Sequence, residues 1–138
     1  MASMTVEVVS PEQVLFSGEA TMVITRTQGG GEIAFLPGHA PFLGALSENH
    51  TRVFLVDGST VDIAVHSGFV EVSNSKVSIL SDVAELSADI DVERAKAALE
   101  HHLHVLRDEK MENEIAQAVC GRDRAIARLK ATGTSFTA

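Results

Sequence analysis

The sequence predicts an α+β chain: an N-terminal antiparallel β-sandwich over residues 1–86, followed by a C-terminal antiparallel two-helix hairpin over residues 87–138. Two observations carry this. Up to about Leu86, short β-branched runs alternate with Gly, Pro, Asn, Asp and Ser at close spacing, the pattern of a sandwich or barrel and not of βαβ units. At Ser87-Ala88-Asp89 the apolar period changes from two to about 3.6, the helical repeat.

Residues 5–9 read as a first strand, closed by Ser10-Pro11-Glu12, and residues 13–18 and 20–25 as a second and a third. After the flexible Gln28-Gly29-Gly30-Gly31 turn, a short apolar strand runs through Phe35 into Leu36-Pro37-Gly38-His39-Ala40-Pro41. Pro37 fixes φ there and Gly38 can supply the left-handed residue of a tight turn, so this is a rigid corner. Residues 42–46 follow. Residues 51–56 and 60–65 then form a hairpin across Asp57-Gly58, and residues 69–72 and 76–80 a second one around Ser73-Asn74-Ser75. Eight or more short antiparallel strands result, which pack as two sheets.

In the helical part Asp89 reads as the N-cap, with Asp91 and Glu93 supplying negative charge to the first turn. Val92, Ala95, Leu99, Leu103 and Leu106 make one apolar stripe, and the helix ends near Arg107. Across the short polar connection Asp108-Glu109-Lys110-Met111-Glu112-Asn113, a second stripe of Ile115, Val119, Ile126 and Leu129 follows. Gly121 interrupts helix two at a cost of about 1 kcal/mol relative to Ala. The tail from Ala131 to Phe136 reads as frayed.

Composition narrows the function. Of 138 residues, 45% are hydrophobic and 22% charged, which excludes a largely disordered chain. A net charge of −8 and the absence of Trp and Tyr argue against nucleic acid as a partner, since phosphate-backbone affinity needs clustered Lys and Arg and single strands need stacking platforms. The single Cys120 leaves no intramolecular disulfide or cysteine zinc cage. The start lacks a secretory pattern and no apolar run reaches about 18 residues, so a cytoplasmic chain is expected that meets the membrane only through partners.

No metal site is expected. His101, His102 and His104 splay around a helix, and neighbouring histidines one and two apart cannot share an ion. The Gly-x-Ser-x-Gly, phosphate-loop, His-Glu-x-x-His and Gly-x-Gly-x-x-Gly templates are all absent. His39 and His66 could each serve as a base in principle, but local sequence sets no nucleophile beside either. Arg124 and Arg128, spaced i, i+4 with Arg122 and Lys130 nearby, stand out in an acidic chain. They read either as a solvated face complementing the C-terminal helix dipole or as a cationic strip for an acidic partner or a phosphate.

Three passages together resemble the epsilon-subunit family of bacterial F-type ATP synthases, equivalent to the mitochondrial delta subunit. Gly31-Glu32-Ile33-Ala34-Phe35-Leu36-Pro37-Gly38-His39-Ala40-Pro41-Phe42-Leu43 is similar to the family's glycine-rich Pro-Gly-His-x-Pro corner, with Ala34 where a second Gly is usual. Ser67-Gly68-Phe69-Val70-Glu71-Val72 with Val77-Ser78-Ile79-Leu80-Ser81-Asp82 resembles the closing strand pair. Ile90-Asp91-Val92-Glu93-Arg94-Ala95 resembles the motif that opens the first helix.

The resemblance implies a non-catalytic subunit of the central stalk, or rotor, of a proton-translocating ATP synthase, at the cytoplasmic face of a bacterial inner membrane. Its sandwich would couple the gamma subunit to the c-ring, with Pro37, Gly38, His39 and Pro41 as a partner interface. Its helices would inhibit ATP hydrolysis by extending toward the beta and alpha subunits, with Arg122, Arg124 and Arg128 facing an acidic segment of beta. It also implies a weak regulatory ATP site at Glu85, Ile90, Asp91, Arg94, Arg124 and Arg128, with no other cofactor. A nucleotide-sensing module that acts alone and an unrecognised enzyme are the competing readings.

Overall fold

A computed structural model describes residues 2–108 and 111–137. The expected connection at Glu109 and Lys110 lies outside the described residues. Among the described residues nine strands precede a short 3-10 turn at Ser87–Asp89 and two helices: β1 (Met4–Val9), β2 (Val14–Thr27), β3 (Gly31–Phe35), β4 (Phe42–Leu46), β5 (Asn49–Leu55), β6 (Thr60–His66), β7 (Gly68–Ser73), β8 (Lys76–Leu80), β9 (Val83–Leu86), α1 (Val92–Asp108) and α2 (Glu112–Ala131).

The strands build a β-sandwich whose two layers share one long strand. The expected separate strands at 13–18 and 20–25 are a single 14-residue β2. Its first half pairs with β1, while its second half pairs with β3 and β5. The register shift between Ala20 and Met22 marks the bend at which the strand changes layers. Glu19, the gap between the two expected strands, lies inside β2. One layer runs β1-β8-β7-β4 and the other continues through β2-β5-β6-β9. Pairing is antiparallel except between β1 and β8, which run parallel.

Alternation buries one face of each strand. Met4, Val6, Val8, Val23, Phe35, Leu46, Val53, Ile63, Val65, Val70, Val77 and Ile79 fill the space between the layers. Asn74 and Ser75 both take positive φ, 52° and 58°, as a two-residue hairpin of matching twist requires. The Asp57-Gly58 connection is wider, four residues from Val56 to Ser59, and is held by Asp57 accepting from the Ser59 amide at 2.9 Å.

The corner is a β-turn. His39 N–H donates to the Leu36 carbonyl at 3.0 Å, with Pro37 and Gly38 between them and Gly38 at φ 84°, the arrangement of a type II turn. The His39 ring sits edge-on to the buried Phe35, centroids 5.0 Å apart.

Three helical expectations change. The cap of α1 is Asp91 and not Asp89: the Arg94 amide donates to Asp91 Oδ1 at 3.1 Å, while Asp89 ends the preceding 3-10 turn. The buried face of α2 is made of Ala118, Ala125, Ala127, Leu129 and Ala131, whereas Ile115, Val119 and Ile126 are only half-buried. Small side chains are needed because α2 is enclosed on two sides. Ala127 and Ala131 meet Ala64 of the sheet and Ile90, which follows the 3-10 turn. Ala125 and Leu129 meet Ala95 and Leu99 of α1.

The tail is not frayed. The Gly133 amide donates to the Lys130 carbonyl and the Thr134 amide to the Leu129 carbonyl, a Schellman closure, and Phe136 packs on the α1–α2 cluster. Gly121 also has a positive role. A Cβ there would collide with the imidazole of His102, so the glycine is where the two helices approach across a ring.

Candidate functional site

Helix α2 lies on the outer face of β5 and β6, with α1 packed against α2, and the α2–sheet contact is the site at which the chain's charges converge. Strand β6 is buried on both faces over its last four residues, Ile63, Ala64, Val65 and His66. Ile63 and Val65 point into the sandwich. The opposite parity, Asp62, Ala64 and His66, lies on the face that receives α2. Register places Glu85 of β9 opposite Ala64, and His50 of β5 opposite it on the other side.

On this face a line of five side chains joins sheet to helix. Arg124 reaches Glu48 at 3.6 Å; Glu48 Oε2 lies 2.9 Å from His66 Nδ1. His66 Nε2 lies 2.9 Å from Glu85 Oε1, and Arg128 Nε donates to that same oxygen at 2.6 Å. The His66 side chain is 1% exposed. Burial raises the Glu85 carboxyl, but the hydrogen bonds from Arg128 and His66 outweigh it and hold the group below the usual carboxylate range. A smaller set sits beside it: Asp62 accepts from Arg52 at 2.8 Å and faces His50 at 2.6 Å, and these contacts outweigh its burial to lower it in the same way.

The residues expected to form a ligand site are divided by the fold. Glu85, Asp91, Arg94 and Arg128 line one cleft of about 320 Å³, together with Asp89. Ile90 is 8% exposed and packs beneath the helices with Ala64, Ala127 and Ala131. Arg124 is taken by Glu48, and Arg122 by its neighbour Asp123 at 3.1 Å. The three arginines of the expected strip therefore have three separate acidic partners. Pro37, Gly38, His39 and Pro41 lie together at the β3–β4 turn, beside an exposed Leu36.

In the sequence His66 reads only as an isolated base, and Glu48 carries no signal of its own. The usable signal was parity: Asp62, Ala64 and His66 place two polar residues on what would otherwise be a plain outer strand face. The partners lie 18 and 19 residues from His66, and no local spacing joins them.

Residues 3–87 match the family described as ATP synthase, Delta/Epsilon chain, beta-sandwich domain. The chain belongs to this ATP synthase family. Its relatives include the ATP synthase epsilon chain of Brevibacillus brevis, 50% identical over 100 residues that cover 72% of this chain and 75% of that one. The ATP synthase epsilon chain of Rhodococcus opacus is 43% identical over 129 residues, 93% of this chain and 99% of that one.

Among solved structures, a chain of the Euglena gracilis mitochondrial ATP synthase, described as OSCP/F1/c-ring, has the same fold with a TM-score of 0.82. It is 20% identical, and the match covers 95% of this chain and 81% of that one. A chain from the central stalk/c-ring of the Tetrahymena thermophila enzyme matches with a TM-score of 0.63 at 14% identity, covering 94% and 96%. For a delta/epsilon chain the converging charges are a joint between two parts of a non-catalytic subunit. Among the described residues no helix is long and apolar enough to cross a membrane.

Proposed function

We propose that this chain is the epsilon-type subunit of the central stalk of a rotary ATP synthase. In this reading its sandwich is seated between the gamma subunit and the c-ring, and its helical pair restrains ATP hydrolysis when it leaves the sandwich and extends toward the beta and alpha subunits. The observation that carries it is the character of the helix–sheet joint. Alanine contacts and exposed-to-half-buried ion pairs close it, and the sandwich core contains no residue of either helix. A part held in this way can detach without unfolding its support. Arg124 and Arg128 then exchange Glu48 and Glu85 for acidic groups on another subunit. The exposed Leu36 beside the rigid turn suits a second partner at the c-ring. Bacterial relatives support a peripheral position at the cytoplasmic face of the plasma membrane.

The test is ATP hydrolysis by the assembled complex with the full chain and with a chain ending at Ser87. Hydrolysis is expected to rise severalfold on truncation, with assembly intact. Unchanged hydrolysis in an intact complex would assign the helices a structural role only.

A second reading has one observation in its favour: the cleft of about 320 Å³ places Arg94 and Arg128 with Glu85 and Asp91, a size at the lower end for a small-molecule site. ATP there would be a regulatory ligand. Binding is expected to be weak, because Glu85, Asp89 and Asp91 outnumber the two guanidinium groups and Arg128 is already engaged. Calorimetric titration with ATP to millimolar concentration decides it, and absence of heat removes this reading.

A further inference from the structure

The least ordinary feature of the joint is the ring at its centre. A neutral imidazole has one N–H donor and one bare lone pair. Both nitrogens of His66 lie 2.9 Å from carboxylate oxygens, Glu48 on one side and Glu85 on the other. With the side chain 1% exposed, solvent has little access to mediate either contact. A lone pair facing a carboxylate at that distance is repulsive, so the arrangement contains one more proton than a neutral ring supplies. Neither carboxyl is a good place for that proton: Arg128 donates to the Glu85 oxygen that faces the ring, Arg124 lies 3.6 Å from Glu48, and imidazole is intrinsically the stronger base. The ring itself is the better place.

We infer that His66 is an imidazolium staple: with both nitrogens protonated it binds Glu48 and Glu85 at once, and so presents the two carboxylates to Arg124 and Arg128 and holds the helical pair on the sandwich. The charged groups that face this ring are Glu48 from the β4–β5 connection and Glu85 from β9, with Arg124 and Arg128 of α2 behind them. Beyond Glu85, across the cleft, stand Asp89, Asp91 and Arg94 at the start of α1. Loss of the ring proton leaves one carboxylate against a lone pair. That carboxylate turns away, and its arginine loses its place. Protonation of the ring therefore favours the docked helices, and loss of that proton as pH rises weakens the docking. His66 acts through the two acids, so it is a positioning residue and gives the joint a proton-dependent setting that does not require any other subunit.

The full chain, without the assembly, tests this. A label on the native Cys120 of α2 and one on Val56→Cys in the β5–β6 loop report the docked distance from about pH 5.5 to about pH 9. The docking constant is expected to fall on the order of tenfold over that span, the size of one charge-assisted hydrogen bond. Glu48→Gln is expected to flatten the profile and keep the helices docked at high pH, because a glutamine amide can donate to the bare nitrogen. Docking that stays constant or strengthens as pH rises, or a profile that Glu48→Gln leaves unaltered, overturns the inference. Nitrogen-15 NMR of the unsubstituted chain reads the same point without any change to the joint. Two ring N–H protons on His66 at about pH 6, with the helices docked, are expected. A single N–H in the docked chain overturns the staple. His102 of α1 does not confuse the reading, since burial favours its neutral ring and acid loosens its packing, the opposite direction.

Discussion

At the scale of single residues, the pair Gly121 and His102 shows how a helix breaker becomes a packing element. The imidazole of His102 occupies the space that a side chain at position 121 would take. Burial, and then the neighbouring His101, hold His102 below the ordinary imidazole value of 6.5. The sign follows from that lowering. The folded helices favour the neutral ring, so this contribution is complete above the ordinary value and is lost as pH falls through it. Hydrogen exchange of α2 amides is expected to show looser α1–α2 packing in mild acid, with the dependence reduced in His102→Ala. Gly121→Ala is expected to stabilise α2 by about 1 kcal/mol in the His102→Ala background, the helix-propensity gain of alanine. In the parent that gain is offset because the ring must leave. A double-mutant cycle on helix melting measures the difference, and equal gains in both backgrounds would show that ring and glycine are not coupled.

At the scale of elements, the joint rests unequally on its two arginines. Arg128 donates at 2.6 Å to a carboxylate that also binds His66, and its side chain is 29% exposed. Arg124 lies 3.6 Å from Glu48 and is 48% exposed. A short, partly buried, charge-assisted bond is worth about 1.5–3 kcal/mol, an exposed pair about 1 kcal/mol or less. Arg128→Ala is therefore expected to release α2 far more than Arg124→Ala, as read by amide exchange at Ala127 and Ala131. The lowered Glu85 carboxyl adds an acid limit: its contribution is present above the usual carboxylate range and disappears as pH falls below it.

These two elements also show what was legible in the sequence. Both hairpins, the proline-glycine turn and the change to helical period are encoded over a few neighbouring residues, and reading them needed only turn chemistry and spacing. Strand β2 reads locally as two strands because its bend is imposed by pairing with two layers, which no local signal announces. The buried face of α2 is not legible from its large apolar residues, because a helix enclosed on two sides needs alanine where contact is closest. The Glu48–His66–Glu85 contact depends on strand register and on α2 covering the sheet, so it emerged only with the fold.

At the scale of the whole molecule, stability is divided between the two parts. All fourteen residues of the main core cluster lie between Met4 and Ile79, and the two clusters that involve the helices are small and built largely of alanine. What α2 gives the sandwich is cover for one strand face, at Ala64 and His66. A chain ending at Ser87 is accordingly expected to keep a cooperative β fold with a lowered melting temperature, each 1 kcal/mol of lost cover being worth about 4–8 °C in a domain of this size. The full chain is expected to lose its helical dichroism at a lower temperature than its β signal, in two transitions, because alanine contacts and the joint's ion pairs yield before the valine and isoleucine core. A single coincident transition would mean that helices and sandwich form one cooperative unit. A detachable arm would then have to break the sandwich in order to move, and the regulatory role proposed for the helices would lose its physical basis.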